Sequence, residues 1–253
     1  MSPARAEKLR GLGLGALGIG LFLGTWQLVG QNRLLGMSWP ALTDVLALLG
    51  TASRWPLYQR ALAASLTSLG IGYVLGALAG VGLALLAHTM RPLRPGLETL
   101  AAVIHAIPAI ALAPILILLA GRDFTPAALA GLAAFFILYV ATSSGLGAAS
   151  PALHDLLRVL GGSAGSRLWR LELPAALPAL ASGLRMAAPA ALIGVLIGEW
   201  FGAPRGLGVL IINAMQNFQI PLLWSVVLLA AAVSLALYGL LGLLQHALEQ
   251  RFR

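Results

Sequence analysis

The chain has 253 residues, of which 59% are hydrophobic and 9% charged, with a mean hydropathy of +0.91. Soluble domains run at about 45–50% apolar, so this composition excludes a soluble globular protein and marks an integral membrane protein. The formal net charge of +8 needs no nucleic-acid partner, since uneven placement against anionic lipid accounts for it, and with no cysteine disulfides and thiolate chemistry are excluded.

A membrane-spanning helix needs roughly 20 apolar residues, and six stretches qualify: about 11–31, 62–88, 97–120, 126–149, 176–202 and 221–244. The expected fold is all-α with about six transmembrane helices. The first span follows Arg5, Lys8 and Arg10, as a signal peptide would, but it is long and no Ala-x-Ala site follows, so it reads as retained.

Between the first two spans, residues 32–60 contain a short amphipathic helix with Leu42, Val45, Leu46 and Leu49 at helical spacing. It is too short to cross and reads as an interfacial helix sealing the outer rim, or else as a partner-docking element. Trp39, Trp55 and Tyr58 flank it as aromatics at a lipid interface do. In the second span Gly72, Gly76 and Gly80 recur every four residues, a ridge that lets a neighbouring backbone approach closely. The third span holds His105, Pro108 and Pro114. Both prolines are expected to kink it, bordering a cavity or simply tolerated. His105 reads as a packed, hydrogen-bonded residue or as a ligand in the path. Glu98 is placed to pair with Arg94.

Residues 150–174 interrupt the apolar pattern with Asp155, Arg158, Arg167, Arg170 and Glu172. Ser150 is expected to cap a helix opened by Pro151, whose apolar face is Leu153, Leu156, Leu157 and Leu160. Gly161 and Gly162 end it. Ser163 is expected to cap a second short helix carrying Arg167, Leu168, Trp169 and Arg170, which stops at Pro174.

The fifth span repeats the glycine spacing with Gly194, Gly198 and Gly202, a packing ridge or a pore-facing one. Arg185 lies close enough to the inner face to snorkel toward the 150–174 loop. Glu199, beside Trp200 at the outer end, is expected at the headgroups, or else lining the path or outer gate. Residues 203–220 read as an external loop with a short helix, and Gln245, His246, Glu249, Arg251 and Arg253 form a polar tail.

Cationic side chains set the orientation. Arg5, Lys8, Arg10, Arg91, Arg94, Arg158, Arg167, Arg170, Arg251 and Arg253 fall on one side, against Arg33, Arg54, Arg60, Arg122 and Arg205 on the other. Both termini and the 150–174 loop are therefore expected in the cytoplasm, in a multi-pass protein of a cell (inner) membrane.

The same loop resembles the signature loop of the permease subunits of binding-protein-dependent ABC importers, Glu-Ala-Ala, three residues, Gly, nine residues, Ile-x-Leu-Pro. Asp155, Leu156 and Leu157 stand at the Glu-Ala-Ala positions, Gly161 at the glycine, and Leu171, Leu173 and Pro174 at the end. MSWPALTDVL, AIPAIALAPILIL, GLRMA and GEWFGAPRGLGVLI are similar to the nitrate, sulfonate and taurine branch. The resemblance implies a type I importer fold as one permease domain over 1–253, with an N-terminal helix at 11–31 and core helices over 62–244. It implies coupling to a cytoplasmic ATPase dimer through Asp155, Leu156, Leu157, Arg158, Gly161, Trp169, Leu171, Leu173 and Pro174. It further implies a second permease copy, a periplasmic or lipid-anchored solute-binding protein, and a path for which His105, Pro108, Gly194, Gly198 and Glu199 are the candidates.

No GxxxxGK[ST] loop is present and the single lysine is Lys8, so the chain is not expected to hydrolyse ATP; ATP and magnesium belong to the partner. No HExxH or acidic–histidine cluster suggests a metal. Gly161, Ser163 and Gly165 match GxSxG, but a helix rather than a strand is expected before them. An intramembrane hydrolase resting on Ser163 or His105 is the weakest reading. A secondary transporter or channel needs mid-membrane ion sites, for which only His105 and Glu199 offer themselves.

Overall fold

The computed structural model describes the backbone of residues 3–251, with the side chains of residues 3–6, 8, 9, 12, 249 and 251 excepted. Arg253 of the polar tail and the side chains of Arg5, Lys8, Glu249 and Arg251 lie outside the described residues. Among the described residues eleven α-helices follow in order: α1 (Pro3–Gln31), α2 (Leu42–Gly50), α3 (Trp55–Thr89), α4 (Arg94–Ala106), α5 (Ala109–Ala120), α6 (Thr125–Leu146), α7 (Pro151–Val159), α8 (Ala164–Arg167), α9 (Leu173–Trp200), α10 (Leu207–Gln216) and α11 (Ile220–Arg251). No strand occurs among the described residues. Five helices among the described residues are long and apolar enough to cross a membrane, and the α4–α5 pair makes a sixth span if counted as one.

Several helices outrun the apolar stretches that announced them. α3 begins at Trp55 with Pro56 in its first turn, where a missing N–H costs nothing. α11 continues through Gln245 and His246, polar residues that end the hydrophobic run without breaking the helix.

The third span departs from the expected kinked helix. It is two helices bent by 97°. Ile107 lies between them at φ −74°, ψ 123°, the extended backbone that a following proline favours. Pro114 by contrast sits inside an intact α5, as Pro178 and Pro189 do inside α9.

The chain divides into two units, Met1–Tyr58 with Ile211–Leu228 and Gln59–Leu210 with Leu229–Arg253. The first is built around indole rings. Trp26, Trp39 and Trp224 meet with centroids 4.7–5.3 Å apart. Trp26 Nε1 donates to Pro40 O at 3.1 Å and Trp224 Nε1 to Ser38 O at 3.0 Å. α2 is tied to α1 by Gln27, which exchanges two 3.1 Å hydrogen bonds with Thr43. At Gly30 a Cβ would lie 2.6 Å from Ala41 Cα. Ser225 Oγ spends its proton on Leu222 O at 2.7 Å, so the Tyr58 hydroxyl is the donor in its 2.8 Å bond to Ser225. Trp39 and Tyr58 therefore differ from the expected lipid-interface role: Trp39 packs against Trp26 and Trp224, and Tyr58 is almost fully buried and hydrogen-bonded, whereas Trp55 remains exposed.

In the second unit α6 is the central helix, and small residues explain why. Gly72, Gly76 and Gly80 of α3 face the α6 carbonyls of Ala127, Gly131 and Phe135. From the other side, a Cβ on Gly194 of α9 would stand 2.7 Å from Leu129 O, and one on Gly198 2.6 Å from Pro126 Cα. Leu69, Ala130, Ala134, Leu138, Ala187, Ala191, Leu192 and Val195 fill the core between these helices. Tyr73 of α3 donates to Leu184 O of α9 at 2.7 Å.

Adding a methyl group at such a position forces backbones apart, and overpacking costs about 1–3 kcal/mol. Gly76→Ala is expected to lose about 2–3 kcal/mol in thermal unfolding of the detergent-solubilised protein. Gly82→Ala on the same helix, where a Cβ meets nothing within 4 Å, is expected to be neutral or slightly stabilising. Equal melting temperatures for the two variants contradict the glycine-track packing.

Candidate functional site

The polar stretch between α6 and α9 is a helix, a glycine turn and a second helix. Pro151 opens α7 as expected, but the Ser150 side chain makes no capping hydrogen bond. The end of α7 is a Schellman motif: Gly162 N–H bonds Leu157 O at 2.8 Å and Gly161 N–H bonds Arg158 O at 3.1 Å. This closure needs φ of +75° at Gly161, a conformation that a side chain disfavours by about 1–2 kcal/mol. Ser163 then caps α8, its Oγ accepting from Ser166 N–H at 3.2 Å. The same bond, together with the helix preceding it, removes the serine-hydrolase reading.

The second helix does not stop at Pro174. α8 passes through a π-turn at Leu168–Glu172 directly into α9, with Leu173 N–H reaching back to Leu168 O. A proline inside an ordinary α-turn loses a donor and strikes the carbonyl four residues earlier; one wider turn eases the clash. Leu171 and Leu173 lie on this junction, half-buried.

No residue of α7 is buried. Leu153, Leu156 and Leu160 of its expected apolar face are exposed, with Val159 beside them at 85% and Trp169 of the second helix at 73%. Asp155 is exposed too, 3.6 Å from Arg158 Nη1, a surface pair of little energetic weight.

Sequence reading missed the residue that holds this loop in place. Glu172 is 5% exposed and gathers three cationic or imidazole groups from three elements. His88 Nε2, at the end of α3, lies 2.8 Å from its Oε2. Arg167 Nε of α8 donates to Oε1 at 3.2 Å, and His154 Nδ1 of α7 stands 3.7 Å from the same oxygen. A carboxylate only accepts, so His88 carries its proton on Nε2.

The candidate path residues separate into two groups. His105, Pro108 and Gly194 line one groove of about 250 Å³ between α4, α5, α6 and α9, with Leu112, Leu132 and Ile193. His105 is exposed, and its ring stacks on Phe136 at 3.8 Å and 5°. Gly198 instead faces Pro126 of α6.

Glu199, expected at the headgroups, is only 2% exposed. Its Oε1 accepts from Ser65 O–H and its Oε2 from Gly208 N–H, both at 2.7 Å. Ser65 Oγ in turn accepts from Leu207 N–H at 2.8 Å. The carboxyl packs onto Gly206, whose φ is +147° and where a Cβ would overlap it. Glu199 therefore satisfies the start of α10, a role that no local spacing announces.

Arg185, expected to reach toward the loop, turns to α11. Its guanidinium lies 4.0 Å over the Tyr238 ring and donates to Gln245 Oε1 at 3.3 Å. Glu98 and Arg94 do pair, at 2.7 Å.

Comparison with known proteins bears on most of the chain. Residues 72–253 match the family described as binding-protein-dependent transport system inner membrane component. A probable ABC transporter permease protein of Haemophilus influenzae is 36% identical over 72% of this chain and 75% of its own length. The formylaminopyrimidine transport permease protein ThiX of Halalkalibacterium halodurans is 33% identical over 72% of this chain and 71% of its own. Among solved structures, a chain of the inward-facing MetNI methionine ABC transporter superposes with a TM-score of 0.67 at 16% identity, covering 78% of this chain and 99% of that one. The chain thus belongs to the binding-protein-dependent transport system inner membrane component family and is a membrane permease subunit of an ABC importer of small solutes.

Proposed function

We propose that the α7–α8 loop is the element through which a cytoplasmic ATPase dimer drives this permease, with the loop and both termini on the cytoplasmic side. The observation carrying this reading is the exposed apolar set Leu153, Leu156, Val159, Leu160 and Trp169 on a segment whose internal geometry is closed by Gly161 and Ser163. Such a patch, rimmed by Asp155, Arg158 and Arg170, has the apolar centre and polar edge of a protein interface. Continuity through the π-turn into α9 carries displacement of the loop to Gly194 and the groove at His105 and Pro108. A second permease copy completes the path, and a solute-binding protein, free or lipid-anchored, delivers a small solute to it. That solute is of the sulfonate, taurine or nitrate kind or another small organic molecule; relatives carry the names of aliphatic sulfonate, nitrate and formylaminopyrimidine permeases.

Because the chain has no cysteine, Leu156→Cys introduces a single thiol. Crosslinking of that thiol to the ATP-hydrolysing subunit in membranes is expected, and labelling by an impermeant reagent from the outer side only contradicts the assignment. Gly161→Ala is expected to leave the subunits assembled while lowering solute-stimulated ATP hydrolysis by about fivefold to thirtyfold, the scale of its backbone strain. Wild-type stimulation in that variant removes the turn from the mechanism.

A further inference from the structure

Beneath the loop, where α3 ends and α4 begins, lies a cavity of about 550 Å³, which shares Arg158 with the rim of the docking patch. Four arginines line it: Arg91 and Arg94 from the α3–α4 turn, Arg158 from α7 and Arg167 from α8, with His88 beside them. The lining holds one carboxylate, Glu172, and both of its oxygens are already engaged by His88 and Arg167. Arg94 and Arg167 each spend Nε on a glutamate, one of five N–H donors that a guanidinium carries. Arg91 makes no ion pair among the described residues. Like charges brought to one cavity repel one another, and an anion placed among them reverses the sign of that interaction. Planar guanidinium forks match tetrahedral phosphate oxygens bidentately, more selectively than ammonium groups do.

We propose that this cavity binds one phosphate-bearing anion, either the headgroup of an anionic phospholipid or a soluble phosphate. The cavity lies at the end of the α3 span, where α4 begins, a place that a lipid headgroup can reach as readily as a soluble phosphate. A bound phosphate ties the α3–α4 turn to the loop through Arg91 and Arg94 on one side and Arg158 and Arg167 on the other. It is a second tie beside Glu172, and one that depends on ligand.

The test uses the full chain assembled with its ATP-hydrolysing subunits. In one arm the complex is released from vesicles of phosphatidylcholine mixed with phosphatidylglycerol, and retained lipid is counted by native mass spectrometry. In the other, inorganic phosphate is titrated calorimetrically into the complex held in phosphatidylcholine alone. One anion per permease chain is expected in at least one arm, and the arm that responds identifies the source. Arg91→Gln combined with Arg158→Gln, both at exposed positions, is expected to weaken it about tenfold to a hundredfold, on the scale of lost charge-assisted hydrogen bonds. Arg54→Gln, a residue outside the cavity lining, is expected to leave it unchanged. Absence of binding in both arms overturns the proposal, as does a double variant that binds like the wild type or an Arg54→Gln variant that weakens binding equally.

Discussion

Glu172→Ala is expected to lower stability by about 2–3 kcal/mol, seen as a fall of about 5–10 °C in the melting temperature of the solubilised protein. Removing one member of a buried ionic cluster strands the others, at about 3–5 kcal/mol when they are fully buried. His88 and Arg167 keep 28% and 27% of their side-chain exposure, so water recovers part of the loss. Glu172→Gln retains one acceptor and is expected to fall between the two. His88→Ala made in the Glu172→Ala background is expected to add little, because neighbours sharing one interaction are not additive. If the two losses simply sum, the cluster is not a unit. On the proposed coupling role, Glu172→Ala also lowers transport more than assembly, since α7 loses its tether to α3 while its docking face remains.

The second large effect is at the opposite end of α9. Glu199→Ala is expected to cost about 3–5 kcal/mol, since Gly208 N–H and Ser65 O–H both lose their acceptor in a buried site, at about 1–3 kcal/mol each, and a void is left besides. Glu199→Gln is expected to cost under about 1 kcal/mol. Its carbonyl takes the Gly208 N–H, its amide donates to Ser65 Oγ, and the serine proton turns back to a carbonyl of its own helix. Thermal unfolding of the two variants side by side decides between hydrogen bonding and charge: a glutamine variant as unstable as the alanine variant means that the negative charge itself is required.

What the amino-acid order revealed, and what it concealed, follows from the range of the interactions. Apolar length located every span, and spacing within 150–174 located Gly161 and the Ser163 cap, because those features are made by residues within a few positions of one another. Proline effects were only half legible. Pro108 breaks its helix and follows Ile107, a β-branched residue that suits extended backbone. Pro114, Pro178 and Pro189 follow Ala113, Leu177 and Ala188 and leave their helices intact. The Pro174 junction is illegible in sequence because a π-turn has no periodic signature. Glu172 and Glu199 were hidden for another reason: their partners His88 and Ser65 lie 84 and 134 residues away. Aromatic residues at a lipid interface and aromatic residues in a core have the same composition, so sequence alone does not separate Trp39 and Tyr58 from Trp55.

The two glycine tracks that seat α6 between α3 and α9 have a mechanical corollary. Side chains between helices can change rotamer and so absorb sliding, but backbone resting on backbone at Gly72, Gly76, Gly80, Gly194 and Gly198 leaves no such cushion. Those three helices are consequently keyed together and travel as one block. On the proposed coupling role, bending is easiest at the joint at Ile107 and Pro108, where two helices already meet at 97° and the ladder of hydrogen bonds is interrupted.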